Sequence, residues 1–175
     1  MPVIDQFRQY LLESKNDNEE KINQLSNFIF KNNLVNIIYE IEKSNSIAKI
    51  FHIGASNQLI DVLNYSVSSP LRSIEMDLTE TPAIKRVYLE KKAIYFRNVP
   101  AIASELIPAI KFPQRFNLVL KKMGVSELAV LPLFFQNHAF SKECILVVLG
   151  PLSEEQRKFV KEASNEIINY INNKN

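Results

Sequence analysis

Two short apolar runs in the C-terminal half of the chain, joined by one polar connection, constrain its fold more than any other feature. Residues 128–135 read LAVLPLFF, residues 144–149 read CILVVL, and the polar connection spans residues 136–143. Each run is too short for a typical helix and is rich in β-branched and aromatic side chains, so each predicts a strand. Apolar residues occupy both alternating sets of positions, which is typical of strands covered on both faces.

The alternation of side chains along these two strands assigns their residues to opposite faces of a sheet. One face is predicted to carry Val130, Phe134, Val147 and Leu149. The other face is predicted to carry Ala129, Leu131, Phe135, Leu146 and Val148. A hairpin with two apolar faces needs one layer of structure packed above it and another layer below it.

The composition fits one ordinary globular domain. The chain has 175 residues, a hydrophobic fraction of 46%, a charged fraction of 23% and a net charge of +2, which gives no indication of nucleic acid or of a membrane surface as a partner. One cysteine excludes an internal disulfide framework and fits a reducing compartment. Residues 1–14 lack the pattern of a signal peptide, and no apolar run approaches the ~20 residues of a membrane span. We therefore expect a cytoplasmic protein.

Hydrophobic periodicity predicts the order of the other elements. Helices are predicted at residues 3–14, about 18–43 with a kink at Asn32-Asn33, 81–90, 114–123 and about 153–171. Asp17 or Asn18 is predicted to cap the second helix, and Ser153 with Gln156 has the pattern of a capping box at the start of the last one. Strands are predicted at residues 47–53 and 59–65, joined by a hairpin loop at 54–57, and at a sheet edge at 93–96. This order predicts an α+β fold with five strands in a mainly antiparallel sheet. The terminal helices would cover one face of the sheet, and residues 66–123 would cover the other.

Three stretches of the chain resemble the GAF domain family. MDLTETPAIKRVYLEKKAIYFRNVP at residues 76–100 is similar to the helix, the turn and the third strand of that family. KKMGVSELAVLPL at residues 121–133 is similar to the stretch that contains its next strand, and residues 152–171 are similar to its closing helix. The resemblance covers roughly residues 33–170. The glycine usual in the last hairpin of the family is replaced here by Asn137-His138.

The resemblance implies a GAF/PAS-like fold with a five- or six-stranded sheet and a ligand pocket under residues 66–123, often in a homodimer. It divides the chain into N-terminal helices at residues 1–31 and a GAF-like domain at residues 32–175. It also implies a small-molecule-sensing or regulatory module without catalysis. Because the sequence contains no output domain, we expect the module to act through a separate, unidentified protein partner.

The first predicted helix gives a further reason to expect a dimer. It carries an apolar stripe made of Ile4, Phe7, Leu11 and Leu12, yet it precedes the part of the chain that the resemblance covers. An amphipathic helix must bury its apolar stripe, either on its own domain or on a second subunit. We expect a homodimer formed by this helix together with the C-terminal helix.

The sequence offers no pattern for a phosphate loop or a metal site. Its only glycines are Gly54, Gly124 and Gly150, so neither a GxGxxG sequence nor a Walker loop is present. His52 and His138 do not show metal-ligand spacing with each other or with the cysteine. We expect no metal and no cofactor.

Two other patterns contain residues that can act in catalysis, and we expect no catalytic residue from either. Cys144 lies beside an apolar run, where a cysteine is typically an inert small hydrophobic residue rather than a reactive thiolate. Some GAF proteins reduce free methionine sulfoxide, but they use several cysteines. Glu75, Asp77 and Glu80 precede a predicted helix and are interpreted as solvated acids, one of them near a helix N-terminus.

The basic residues between Lys91 and Lys122 predict the charge of a ligand. This stretch contains seven lysines and arginines and a single acid, Glu105. The resemblance places it in the third strand and the pocket lid, so we expect a small anionic ligand, gripped by the guanidinium groups of Arg97 and Arg115. The full set of residues expected to bind it is Phe96, Arg97, Phe112, Arg115, Phe116, Leu131 and Phe135.

Two alternatives to a sensory module stay open from the sequence. One is a redox enzyme that uses Cys144 and is related to the free methionine sulfoxide reductases. The other is a structural dimerisation module whose pocket is filled by its own aromatic side chains, for which the candidates are Phe96, Phe112, Phe116 and Phe135.

Overall fold

The computed structural model describes residues 3–15, 17–66, 75–97, 118, 120–122 and 124–173. Its helices are α1 (Val3–Glu13), α2 (Asn18–Lys31), α3 (Asn57–Ser66), α4 (Pro82–Glu90) and α5 (Glu154–Asn172). Its strands are β1 (Val35–Glu42), β2 (Ile47–Gly54), β3 (Glu75–Asp77), β4 (Ile94–Phe96), β5 (Glu127–Asn137) and β6 (Phe140–Gly150). A short 3₁₀ helix, Leu78–Glu80, leads into α4.

The six described strands form one sheet in the order β3-β2-β1-β6-β5-β4. Every neighbouring pair is antiparallel. The central hairpin of β5 and β6 is flanked by β1 on one side and by the edge strand β4 on the other. The predicted α+β fold with an antiparallel sheet is therefore confirmed, as is the edge position of residues 94–96.

The two faces of the sheet carry separate hydrophobic cores, with the residues that the alternation predicts. On the helical face, Leu131, Leu146 and Val148 pack under α1, α2 and α5. On the opposite face, which we call the α4 face, Val130 and Val147 pack together with buried residues of α4. The predicted terminal helices lie on one face, and of the predicted cover at residues 66–123 the structure describes α4, which packs on the other face.

The hairpin between β5 and β6 is tighter than the sequence suggested. Residues 136–143 were predicted to be a loop, but the strands continue to Asn137 and from Phe140, so the turn contains only His138 and Ala139. Neither of these two residues has a positive φ angle, and the Asn137 side chain accepts a hydrogen bond from the Ala139 N–H at 2.9 Å. Asn137 thus stabilises a turn that contains no glycine.

The prediction of a helix that continues through residues 35–43 was wrong. Helix α2 ends at Lys31, Asn33 adopts a left-handed conformation with φ of 69°, and β1 begins two residues later. Val35, Ile38 and Ile41 happen to have helical spacing, but the intervening Ile37 and Tyr39 are also buried, on the opposite face from Ile38. A segment that is buried on both sides and rich in β-branched residues is more stable as a central strand.

The predicted strand at residues 59–65 was also wrong, because this segment is helix α3. The Ser56 hydroxyl accepts a hydrogen bond from the Leu59 N–H at 3.2 Å, so residues 54–57 contain a helix start rather than a hairpin loop. Strand β2 pairs instead with β3, which the sequence analysis did not identify.

Other helix boundaries agree with their predicted capping residues. Asp17 caps α2 by accepting a hydrogen bond from the Glu20 N–H, and Ser153 and Gln156 form a reciprocal capping box at the start of α5. The predicted helix at 114–123 falls mostly outside the described residues. No helix among the described residues is both long enough and apolar enough to span a lipid bilayer.

Helix α1 folds back onto its own chain. Phe7 and Leu11 are buried in the core of the helical face, and Arg8 forms an ion pair of 2.7 Å with Glu166 of α5. The fully buried ammonium group of Lys21 donates to the backbone oxygen of Leu11 at 2.8 Å and to the Tyr170 hydroxyl at 2.8 Å. This contact ties the C-terminal end of α1 to both α2 and α5.

Candidate functional site

The α4 face is where the resemblance places a ligand pocket, and its described part is strongly apolar. Ile84 and Val87 of α4 are fully buried against the sheet. The Tyr88 ring meets the Phe134 ring edge to face, with 5.9 Å between the centroids. Residues 67–74 and 98–117, which were expected to contribute to the cover, lie outside the described residues.

Tyr39 places one unsatisfied polar group in this apolar face. It lies in the centre of β1, paired with Ile50 of β2 and Ile145 of β6, and its side chain is fully buried. Its hydroxyl has no hydrogen-bond partner among the described residues. Burial raises the pKa of the Tyr39 phenol, so the group is a neutral donor. The sequence does not distinguish Tyr39 as a site residue, because a tyrosine within a β-branched strand has the pattern of any other core residue.

The structure separates the residues that were predicted to bind a ligand. Phe96 is half-buried against the core of the α4 face, and Arg97 is exposed just beyond it. Leu131 and Phe135 are buried on the helical face, so they do not meet Phe96. Phe112, Arg115 and Phe116 lie outside the described residues.

Leu131 instead lines a cleft of about 420 Å³ between the sheet edge and α5, which we call the edge cleft. Lys91 and Lys92, from the end of α4, lie on one side of it, and Lys161 of α5 lies on the other. Tyr95 of the edge strand contributes an aromatic wall. The edge cleft brings together basic residues that are far apart in the sequence.

Cys144 lies on the helical face and is not exposed at all. Desolvation by burial is the main reason why the pKa of its thiol is raised to about 12, and the neighbouring Lys142 ammonium only partly opposes this. A thiol with such a pKa is protonated at neutral pH and is a poor nucleophile. Its surroundings are those of a structural hydrophobic residue.

Two of the histidines and acidic residues singled out from the sequence, His52 and Asp77, have structural contacts. The Nε2 atom of His52 lies 3.2 Å from the Asn27 side-chain oxygen, and His138 is exposed in the hairpin turn. Asp77 accepts hydrogen bonds from the Thr79 backbone N–H and hydroxyl, which together lower the pKa of Asp77. The described residues contain no cluster of three or more His, Cys, Asp or Glu that could hold a metal ion.

Solved structures of GAF domains resemble this fold over nearly the whole chain. The GAF domain of an Acinetobacter phosphoenolpyruvate-protein phosphotransferase aligns with a TM-score of 0.60 and 12% identity, over 97% of this chain and 90% of that one. The phycoerythrobilin-bound GAF domain of a cyanobacterial phytochrome aligns with a TM-score of 0.54 and 15% identity, over 96% and 94% of the two chains.

A third solved structure comes from an enzyme. The free methionine-R-sulfoxide reductase of Neisseria meningitidis, in complex with its substrate, aligns with a TM-score of 0.61 and 8% identity, over 97% of this chain and 86% of that one. No protein-family model matches the sequence, and no curated protein matches it. At these low identities the likeness establishes the fold alone, and that fold is GAF-like.

Proposed function

We propose that this protein is a non-catalytic sensory or regulatory module that binds a small molecule on the α4 face of its sheet. The GAF-like fold supports the proposal, because similar folds belong to a methyl-accepting chemotaxis protein and to a bilin-binding phytochrome domain. The terminal helices on the other face would pass the signal to a separate protein partner. Cytoplasmic location and an anionic ligand remain parts of the proposal.

The observation that carries the proposal is the buried hydroxyl of Tyr39, which has no hydrogen-bond partner among the described residues. A buried hydroxyl without a partner destabilises a fold by about 1–3 kcal/mol. A ligand acceptor placed against this oxygen would recover that free energy and would also orient the ligand in an otherwise apolar site. The same apolar surroundings would strengthen the hydrogen bond.

The surroundings of Cys144 argue against the redox alternative. The thiol lies on the helical face, whereas the proposed ligand would bind on the α4 face, so the sheet separates the two. The reductase neighbour is similar in fold, but the one cysteine of this chain is buried, and a buried thiol is a poor nucleophile. We therefore propose no catalysis for this chain.

A thermal-shift screen of acidic and neutral metabolites tests the proposal, with Tyr39→Phe as the key variant. Ligand at about 100 times its dissociation constant adds about 2.7 kcal/mol of stability, which raises the melting temperature by several degrees. Tyr39→Phe removes the unsatisfied hydroxyl, so its unliganded form should be at least as stable as wild type. Its affinity for the ligand should fall roughly tenfold, the effect of losing one buried hydrogen bond.

The control for ligand charge is Arg97→Ala, which changes an exposed residue beside the α4 face. It should weaken anionic ligands and leave neutral ligands unaffected. The proposal is wrong if no compound stabilises the wild-type protein, or if every stabilising compound binds Tyr39→Phe as tightly as it binds wild type.

A further inference from the structure

The edge cleft combines a basic rim with an apolar wall. Lys91, Lys92 and Lys161 form the rim, while Tyr95, Leu131 and Pro132 contribute apolar surface. Its volume of about 420 Å³ falls within the range of small-molecule sites. It lies beside α5, whereas Tyr39 belongs to the α4 face. It is therefore a different place from the site of the proposed function.

Among the residues that the structure describes, no acidic side chain lines the edge cleft. Four acids on the elements around it form ion pairs with other cations: Glu90 with Arg86 at 3.4 Å, Glu127 with Arg157 at 3.0 Å, Glu162 with Lys158 at 3.9 Å and Glu166 with Arg8 at 2.7 Å. Among the described residues, none of the three rim lysines has a carboxylate oxygen within 4.0 Å of its ammonium group. The rim therefore carries positive charge that no described carboxylate neutralises.

Lys91 is held in an unfavourable backbone conformation at this rim. It follows the last residue of α4 with φ of 58° and ψ of 30°, in the left-handed region where helices usually place glycine. A lysine there is less stable than a glycine, because its Cβ crowds the backbone. Strain of this kind often accompanies a functional side chain. Here the left-handed conformation fixes the position of the Lys91 Cβ atom beside Lys92.

From these three observations we infer that the edge cleft binds a small organic anion, a carboxylate or a phosphate attached to an apolar body. The lysines would contact the anionic group. The Tyr95 ring and the Leu131 and Pro132 side chains would pack against the apolar body. Because the basic rim and the apolar wall both contribute, a molecule that has an anionic group and an apolar body should bind more tightly than the anionic group or the apolar body alone.

Titration of the full ¹⁵N-labelled chain at constant ionic strength tests this inference by NMR. The probes are phenyl phosphate and benzoate, with inorganic phosphate and phenol as the matching fragments. We expect saturable amide shifts at Ala93, Tyr95 and Leu131, with at least one of the two aromatic anions binding more tightly than both fragments. The relative affinities of phenyl phosphate and benzoate then distinguish a phosphate site from a carboxylate site.

Two charge-matched double variants make the test specific. Lys92→Gln with Lys161→Gln should weaken binding of the preferred anion roughly tenfold. Lys121→Gln with Lys122→Gln removes the same charge from exposed residues outside the cleft and should leave binding unchanged. Tyr39→Phe should also leave it unchanged, which separates this site from the site of the proposed function.

Lys91→Gly provides an independent readout. Glycine relieves the left-handed strain, so the unliganded variant should melt a few degrees higher than wild type, while its affinity for the anion should fall. The inference is overturned if the shifts do not saturate, if they map outside the cleft, or if the two double variants weaken binding equally.

Discussion

The thiol of Cys144 shows how the surroundings of one residue decide between two classes of function. A redox enzyme needs a thiolate that its substrate can reach. Cys144 is fully buried between Leu133 of β5 and Glu40 of β1 in the sheet register, and burial raises its pKa to about 12. The residue is therefore part of the core of the helical face.

Replacing Cys144 with alanine should change how stability depends on pH. The pKa of the Cys144 thiol in the folded protein lies above its ordinary value of 9.0, so the unfolded protein loses the thiol proton at a lower pH than the folded protein does. The contribution of the protonated thiol to stability is therefore complete below about pH 9 and is lost as the pH rises toward 12. Between pH 7 and pH 10, the free energy of unfolding of wild type should fall by about 1 kcal/mol more than that of Cys144→Ala. Urea unfolding followed by circular dichroism measures both values.

If the free energy of unfolding falls equally for wild type and for Cys144→Ala, the Cys144 thiol is not desolvated. Labelling with a thiol reagent at neutral pH gives an independent check. We expect the native protein to react far more slowly than the protein unfolded in urea.

Gly54 controls the contact between strand β2 and helix α2. A Cβ atom at Gly54 would lie 2.5 Å from the Asn36 side-chain nitrogen and 2.8 Å from the Ser26 backbone oxygen. Asn36 and Ser26 are both fully buried, and the Ser26 hydroxyl donates to the Asn36 side-chain oxygen at 2.6 Å. Glycine is needed at position 54 because the backbone of β2 lies close to Ser26 and Asn36. The sequence had instead predicted that Gly54 belongs to a hairpin loop.

Gly54→Ala should therefore destabilise the fold by about 3 kcal/mol, since it overpacks the site and breaks the buried hydrogen bonds. Gly150→Ala is the matched control. Its Cβ would meet only the end of the Leu34 side chain, at 3.0 Å, and a flexible side chain moves away more easily than backbone. Urea unfolding compares the two variants. The explanation fails if Gly54→Ala loses no more stability than Gly150→Ala.

The sequence predicted those elements whose signal is local. The period-2 alternation in β5 and β6 gave the correct face for each assigned residue, and the capping patterns gave the starts of α2 and α5. Strand β1 and helix α3 were missed because their identity depends on tertiary neighbours. Val35, Ile38 and Ile41 fit a helix equally well until β2 and β6 are placed on either side.

The candidate sites were harder to predict than the fold. The lysines at 91 and 92 were part of a basic stretch that the sequence analysis identified, but their meeting with Lys161 depends on how α5 packs. Nothing in the sequence indicates that the Tyr39 hydroxyl has no hydrogen-bond partner among the described residues. The absence of this hydrogen bond depends on the side chains that β2, β6 and α4 place around the hydroxyl.

At the scale of the whole molecule, the terminal helices form a layer that already buries much of its own apolar surface. Phe7 and Leu11 lie in the core, so deleting α1 would uncover that core instead of simply testing for a dimer. Leu12 remains 76% exposed on the same helix. A homodimer through α1 and α5 is still our proposal, and Leu12 is the residue that would contact the second subunit.

Multi-angle light scattering at tens of micromolar tests this proposal. Wild type should be a dimer, and Leu12→Glu should be a monomer because a carboxylate would be desolvated at the interface. Leu89→Glu makes the same change at a residue of α4 that is 65% exposed, and it should remain a dimer. A monomeric wild type, or equal behaviour of the two variants, would end the proposal.

We propose that a small molecule binds the α4 face through Tyr39, and a crystal structure of the full chain with the strongest stabilising compound from the screen tests this contact. We expect electron density for the compound on the α4 face, with an acceptor atom within hydrogen-bond distance of the Tyr39 hydroxyl oxygen. A compound bound elsewhere, or a Tyr39 hydroxyl that is hydrogen-bonded to the protein itself, would show that Tyr39 does not bind the ligand.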